Sequence, residues 1–172
     1  MSGGERPGGA VARRRMTSAE LSIWRSLVDT TTELRRLLGA QLSQDSNLSP
    51  ADYQVLLALS EAEGRRMRSS VLAATIDWER SRLSHHLARM ERRGLIRRDD
   101  CATDNRGAEV FLTDEGTDAF RGATLPHTRA IKRHFADALT SEQFDALDGI
   151  LRSLRDHLHP EQVEAPKREG RR

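Results

Sequence analysis

Apolar residues recur at helical spacing along most of the chain, and the breaks in that spacing mark out six helices and a pair of strands. The first helix is expected to start at Thr17-Ser18-Ala19-Glu20, which has the spacing of a capping box. Its apolar stripe, Trp24, Leu27, Val28, Thr31, Leu34 and Leu38, runs on to near Ser46-Asn47. A helix of roughly 29 residues would span over about 40 Å at ~1.5 Å per residue, more than one small domain needs, so part of it should face a partner. The second helix has Ser49 as its cap, Pro50 at its first position, Tyr53, Leu56, Leu57 and Leu59 for packing, and Gly64 to close it.

The stretch from Ser69 to Gly116 organises the rest. Ser69 or Ser70 is placed to cap a short helix carrying Val71, Leu72, Ala74 and Ile76, and Asp77 to cap the next one. In that next helix Leu83, Leu87 and Met90 fall at i, i+4 and i+7, an inward seam. A turn of about 100° per residue puts Ser81, Arg82, His85 and Arg89 on the opposite, basic and small-residue face, which suits a DNA major groove. Gly94 should end the helix in a left-handed conformation, and Leu95-Ile96 opens a strand. A polar loop from Asp100 to Gly107 leads to a returning strand with Val110, Phe111 and Leu112. Helix, turn, helix and two-stranded wing together read as a winged helix-turn-helix.

Thr113 caps the following helix, expected from about Asp114 toward Leu139 with a kink or break near Gly122 and Pro126. Thr140-Ser141-Glu142-Gln143 repeats the capping-box spacing, and Phe144, Leu147, Ile150, Leu151, Leu154 and Leu158 form a last amphipathic helix ended by Pro160. The fold class is therefore mostly α with a small β-wing, an α+β arrangement. The first 16 residues, rich in glycine and proline before Arg13, Arg14 and Arg15, are expected to be a disordered basic tail, with a DNA-touching arm as the functional reading. Residues 160–172 read as a second disordered tail, leaving one domain over 17–159.

Charge sharpens the picture. Between Arg65 and Arg98 ten arginines face only Asp77, Glu79 and Glu91, a net charge of +7, while the whole chain of 172 residues carries +2. Such a local excess is the footprint of a phosphate-binding surface. Of 28 cationic residues only Lys132 and Lys167 are lysine, and arginine can fork its contacts to guanine or phosphate. Together these features nominate Ser69, Ser70, Arg80, Ser81, Arg82, Ser84, His85 and Arg89 for DNA contact.

Other chemistry finds little support. Cys101 is alone, which excludes an internal disulfide and a thiolate cluster and marks it as a bystander. His85 and His86 are adjacent and so point about 100° apart, without the i,i+4 partner that a helical metal site needs, and no metal or other cofactor is expected. No nucleophile with its base and no glycine-rich phosphate loop appears, so the chain is not expected to be an enzyme. The N-terminus lacks an apolar core segment and no window approaches ~18 apolar residues, which points to a soluble, cytoplasmic protein without a membrane partner. A winged-helix protein-interaction module is the competing reading, but its docking face should carry exposed aromatics or leucines, whereas here only Trp78 stands at the helix start.

The order of six helices and a wing resembles the MarR family of bacterial transcription regulators over roughly 17–159. Three signatures carry the resemblance: Arg93-Gly94-Leu95-Ile96, Asp104-Asn105-Arg106 and Leu112-Thr113-Asp114-Glu115-Gly116, with Ser81-Arg82-Leu83-Ser84-His85-His86 similar to an actinobacterial branch. The resemblance implies a winged helix-turn-helix head at about 49–116 and dimerisation helices at about 17–47 and 114–159. It implies a homodimer on a pseudo-palindromic operator in double-stranded DNA, acting as a repressor modulated by a small-molecule effector. It also implies that Arg106 reaches the minor groove and that Asp104 steadies the wing, although Asn105 stands where the family commonly has arginine. A pocket between head and dimer region would bring in Trp24 and His127 as candidate effector contacts.

Overall fold

The computed structural model describes residues 15–99 and 108–160, and its internal contacts divide the chain after Arg36 into two compact units. The first unit holds the start of helix α1 (Ser18–Ser46). The expected cap is present there: the Glu20 amide donates to the Thr17 hydroxyl at 3.2 Å, and the Thr17 amide donates to the Glu20 carboxylate at 2.7 Å. The apolar stripe is not covered. Ile23, Trp24, Leu27 and Val28 are all exposed, Trp24 by 54%.

The second unit opens with the last turns of α1, which end at Ser46 before a left-handed Asn47. Helix α2 (Pro50–Glu61) has the full reciprocal box: the Asp52 amide donates to the Ser49 hydroxyl, and the Ser49 amide to the Asp52 carboxylate. Leu57 points outward rather than packing. Gly64 takes φ 63° within a short 3-10 turn, Glu63–Arg65. A strand follows that the apolar pattern did not announce: β1 (Arg66–Arg68) pairs antiparallel with β3 (Glu109–Leu112), and β3 pairs with β2 (Ile96–Asp99), giving the order β1-β3-β2. The wing is thus three-stranded, with Met67 opposite Val110 and Ile96 opposite Leu112.

Helix α3 (Ser69–Thr75) and helix α4 (Arg80–Arg92) pack against α2 and the sheet. Leu48, Leu56, Leu59, Leu72, Leu83, Leu87, Met90, Ile96 and Val110 lose essentially all contact with water. Each such side chain contributes about 1.5–3 kcal/mol relative to exposure, against about 0–1 kcal/mol for a surface ion pair. The apolar core therefore dominates the stability of the head.

Helix α5 (Asp114–His134) is capped by Thr113, whose hydroxyl accepts from the Gly116 amide at 2.9 Å and donates to the Gly94 carbonyl at 2.6 Å. A Cβ on Gly116 would stand 2.0 Å from the Leu95 carbonyl oxygen, so only glycine lets α5 start against the backbone that leads into β2. Of the expected kink or break, the break does not occur: α5 continues through Pro126. The carbonyl that loses its donor there belongs to Gly122, an exposed residue with open space beside it, so water can satisfy it. The helix stops at His134 rather than near Leu139, and a 3-10 turn, Ala136–Ala138, carries the chain to helix α6 (Ser141–Leu158), capped by Thr140 and Gln143 as expected. None of the residues of α6 is buried. Among the described residues no helix is long and apolar enough to cross a membrane.

Candidate nucleic-acid interface

The helix-turn-helix forms differently at its joints from what the cap residues suggested. Neither Ser69 nor Ser70 caps α3, which starts after Arg68; the Ser69 amide instead donates to the Ala108 carbonyl and ties the helix to the wing. Asp77 does not cap α4 either. It takes a left-handed conformation, φ 53°, which a short polar side chain tolerates, and makes the turn itself, while Glu79 holds the N-cap position without a side-chain bond. Gln54 of α2 donates to the Ile76 carbonyl at 3.2 Å and fixes the turn from behind.

With the turn set this way, α4 buries Leu83, His86, Leu87 and Met90 and exposes Arg80, Ser81, Arg82, Ser84, His85 and Arg89. The outward assignments for Ser81, Arg82, His85 and Arg89 hold, whereas His86 goes inward. Its position three residues after Leu83 and four before Met90 was the signal, and its polarity hid it. Ser69, Ser70, Arg80 and Ser84 converge on one cleft of about 190 Å³ between α3, α4 and the wing, together with Leu83, Leu87 and Ala108. Arg98, which the sequence did not single out, lines the same cleft.

Charge on this surface is sorted rather than uniform. Arg98 is held by Glu91, which accepts from its backbone amide at 3.0 Å and its guanidinium at 2.6 and 2.9 Å. That pairing pulls the Glu91 carboxyl below its ordinary value. Arg93 pairs with Asp52, Arg66 with Glu109 and Arg97 with Asp99. Arg80, Arg82 and Arg89 have no carboxylate partner among the described residues. The Arg82 guanidinium lies 4.2 Å from the centre of the Trp78 ring, and Trp78 is half-buried rather than displayed as a docking aromatic. Arg80, Arg82 and Arg89 are thus left to meet an external anion, and Arg92, which donates only to the Ala88 carbonyl at 3.3 Å, is a fourth arginine of α4 without a carboxylate among the described residues.

Asp104 and Arg106 at the expected wing tip, and Cys101, lie outside the described residues. Trp24 belongs to the first unit and His127 to the second. His127 stands half-buried on α5, its ring 4.8 Å from that of Tyr53, which also meets Phe120 at 5.2 Å. Its Nδ1 is buried without a hydrogen-bond partner, and burial holds the imidazole below its usual pKa. Among the described residues no group of three or more His, Cys, Asp or Glu could hold a metal ion.

A helix-turn-helix joined to a three-stranded wing, with free arginines along its second helix, defines a winged helix-turn-helix protein. The MarR family model matches residues 46–107, the region from the α1–α2 turn into the wing. Transcriptional regulator HosA of Escherichia coli O157:H7 is 30% identical over 108 residues, 63% of this chain and 78% of that protein. AbsC, a MarR family transcriptional regulator from Streptomyces coelicolor, superposes with a TM-score of 0.76 at 37% identity over 86% of this chain and 99% of that one. Sco3205 from the same organism, solved in complex with DNA, gives a TM-score of 0.78 at 37% identity over 89% and 96%. The chain belongs to the MarR family of transcriptional regulators.

Proposed function

We propose that the protein is a homodimeric, sequence-specific DNA-binding repressor that places α4 of each subunit in the major groove of a pseudo-palindromic operator. The observation that carries this reading is the set of arginines on the exposed face of α4, Arg80, Arg82 and Arg89, free of carboxylates among the described residues while Arg66, Arg93, Arg97 and Arg98 are paired. Arg82 and His85 face base edges. Ser69, Ser70, Arg80 and Ser84, gathered around one cleft, suit a backbone phosphate. Ser81 and Arg89 extend the same face.

The dimer rests on the exposed apolar faces of α1 and α6. The candidate effector contact in the second unit is His127, which stands in an aromatic cluster with Tyr53 and Phe120, and an effector bound there would release the operator. The regulator acts in the cytoplasm and catalyses no reaction.

Sequencing the genomic fragments that the purified protein retains supplies the operator for the test. Binding should weaken steeply with salt, as counterions return to the phosphates. Inserting half a helical turn, ~5 bp, between the half-sites should abolish tight binding, because the two heads would then face opposite sides of the duplex. Unchanged affinity after that insertion contradicts the docking geometry.

A further inference from the structure

His86 is the one histidine of α4 turned into the head, 5% exposed, and the DNA-facing reading makes no use of it. Its ring is engaged on three sides. Nε2 lies 3.0 Å from Asp52 Oδ1 of α2, a close contact not aligned as a hydrogen bond. Nδ1 lies 2.8 Å from an Arg89 guanidinium nitrogen. The Trp78 ring meets it edge-on, with centroids 5.3 Å apart and planes at 81°.

This arrangement selects one chemical form of the ring. A guanidinium can only donate, so Nδ1 must accept, and the proton sits on Nε2 facing Asp52. Burial lowers the pKa of His86, and nearby Arg89 and Arg82 lower it further, outweighing the opposing pull of Asp52. Asp52 is itself committed elsewhere: besides His86 it binds the Ser49 amide at 2.9 Å and Arg93 at 2.7 Å, and Arg93 also donates to the Asn47 carbonyl. Burial alone would raise the Asp52 carboxyl, but these donors hold it below its ordinary value, so it faces His86 as an anion. The charged and titratable groups around the ring are therefore Asp52 from α2, Arg82 and Arg89 from α4, and Arg93 through Asp52; the turn contributes the uncharged Trp78.

We propose that His86 is a positioning residue for DNA recognition, its neutral Nδ1 holding the Arg89 guanidinium in place on the exposed face of α4. An arginine already held in one orientation loses less side-chain entropy on meeting DNA than a free one, which is how a buried acceptor beneath it raises affinity. Protonated His86 has no lone pair to offer and repels Arg89, so the device works only in the neutral form. The inference rests on the DNA-binding reading above, and the experiment separates the two.

Dissociation constants for a matched duplex are measured for the wild type, His86→Phe, Arg89→Ala and the double variant. Phenylalanine keeps an aromatic ring beside Trp78 but cannot accept a hydrogen bond. His86→Phe should weaken binding roughly tenfold, the worth of one oriented charged hydrogen bond, and should add nothing once Arg89 is alanine. His86→Asn, which restores an acceptor near Nδ1, should recover part of the loss. A second arm needs no change at His86: with protonation of the ring followed by NMR, the advantage of the wild type over Arg89→Ala should shrink as the ring takes up its proton. Both proteins carry His85→Ala in this arm, which takes the neighbouring histidine out of the ratio. Losses from His86→Phe that are equal with and without Arg89, or a ratio that does not change as the ring is protonated, overturn the proposal. Failure of the DNA-binding reading would look different, as absence of specific binding by the wild type itself.

Discussion

Helices α4 and α6 have the same amphipathic pattern and opposite fates. On α4 the apolar positions Leu83, Leu87 and Met90 are within 1% of complete burial, covered by α2, α3 and the sheet of the same chain. On α6 the equivalent positions Ile150, Leu151, Leu154 and Leu158 are between 43% and 69% exposed. Periodicity announces that a face will be buried without saying by what. The head supplies its own cover; α6 presents an apolar stripe that a single subunit leaves wet, and such stripes mark association surfaces. The difference separates the part of the molecule that covers its own apolar face from the part for which a second copy is the proposed cover.

The largest effect should come from α6. Leu151→Asp combined with Leu154→Asp would put two charges into the proposed interface, yielding monomers by sedimentation and lowering operator affinity by about 10²-fold or more, because two linked half-sites become separate binding events. Dimers that persist in this variant break the comparison. Next comes the head: Leu87→Ala removes a buried side chain from a closed core and should lower unfolding free energy by about 2–5 kcal/mol. Denaturant titration checks this, and the midpoint loss should not depend on protein concentration beyond that of the wild type. The exposed Leu158→Ala should change the unfolding of the subunit by less than about 0.5 kcal/mol.

Acid should separate the regions more gently. Burial holds the imidazoles of His86 and His127 below their ordinary pKa, so the unfolded chain takes up protons first as pH falls. Their contribution to stability is complete above about 6.5 and is lost as pH drops through the window below it. Asp52, lowered from 3.8, adds a second loss at still lower pH. Urea midpoints should therefore fall in two stages on acidification, and His86→Phe should shrink the first.

How far the chain could be read in advance follows the same division between local and non-local causes. The caps at Thr17, Ser49, Thr113 and Thr140 and the left-handed Gly94 were legible because each is decided by residues within one turn. Strand β1 was not, because Arg66-Met67-Arg68 offers one apolar residue and forms through backbone pairing with β3, more than 40 residues away. The capping roles given to Ser69 and Asp77 failed for a similar reason: the Ala108 carbonyl and the tertiary turn decide those joints. On the candidate surface the outward arginines of α4 followed from periodicity alone. Arg98 in the cleft and His86 beneath Arg89 depended on the partners Glu91, Asp52 and Trp78, which no spacing rule brings together.

The most direct test of the central claim, that the exposed face of α4 reads bases while the neighbouring cleft holds the backbone, is the specificity of two single variants. Arg82→Ala and Arg80→Ala are titrated with matched and scrambled duplexes at several salt concentrations. Arg82→Ala should weaken the matched duplex by about 1–3 kcal/mol and leave the scrambled one nearly unchanged. Arg80→Ala should weaken both alike and flatten the salt dependence by up to about one unit per subunit. If Arg82→Ala weakens matched and scrambled DNA equally, α4 does not read sequence through this face.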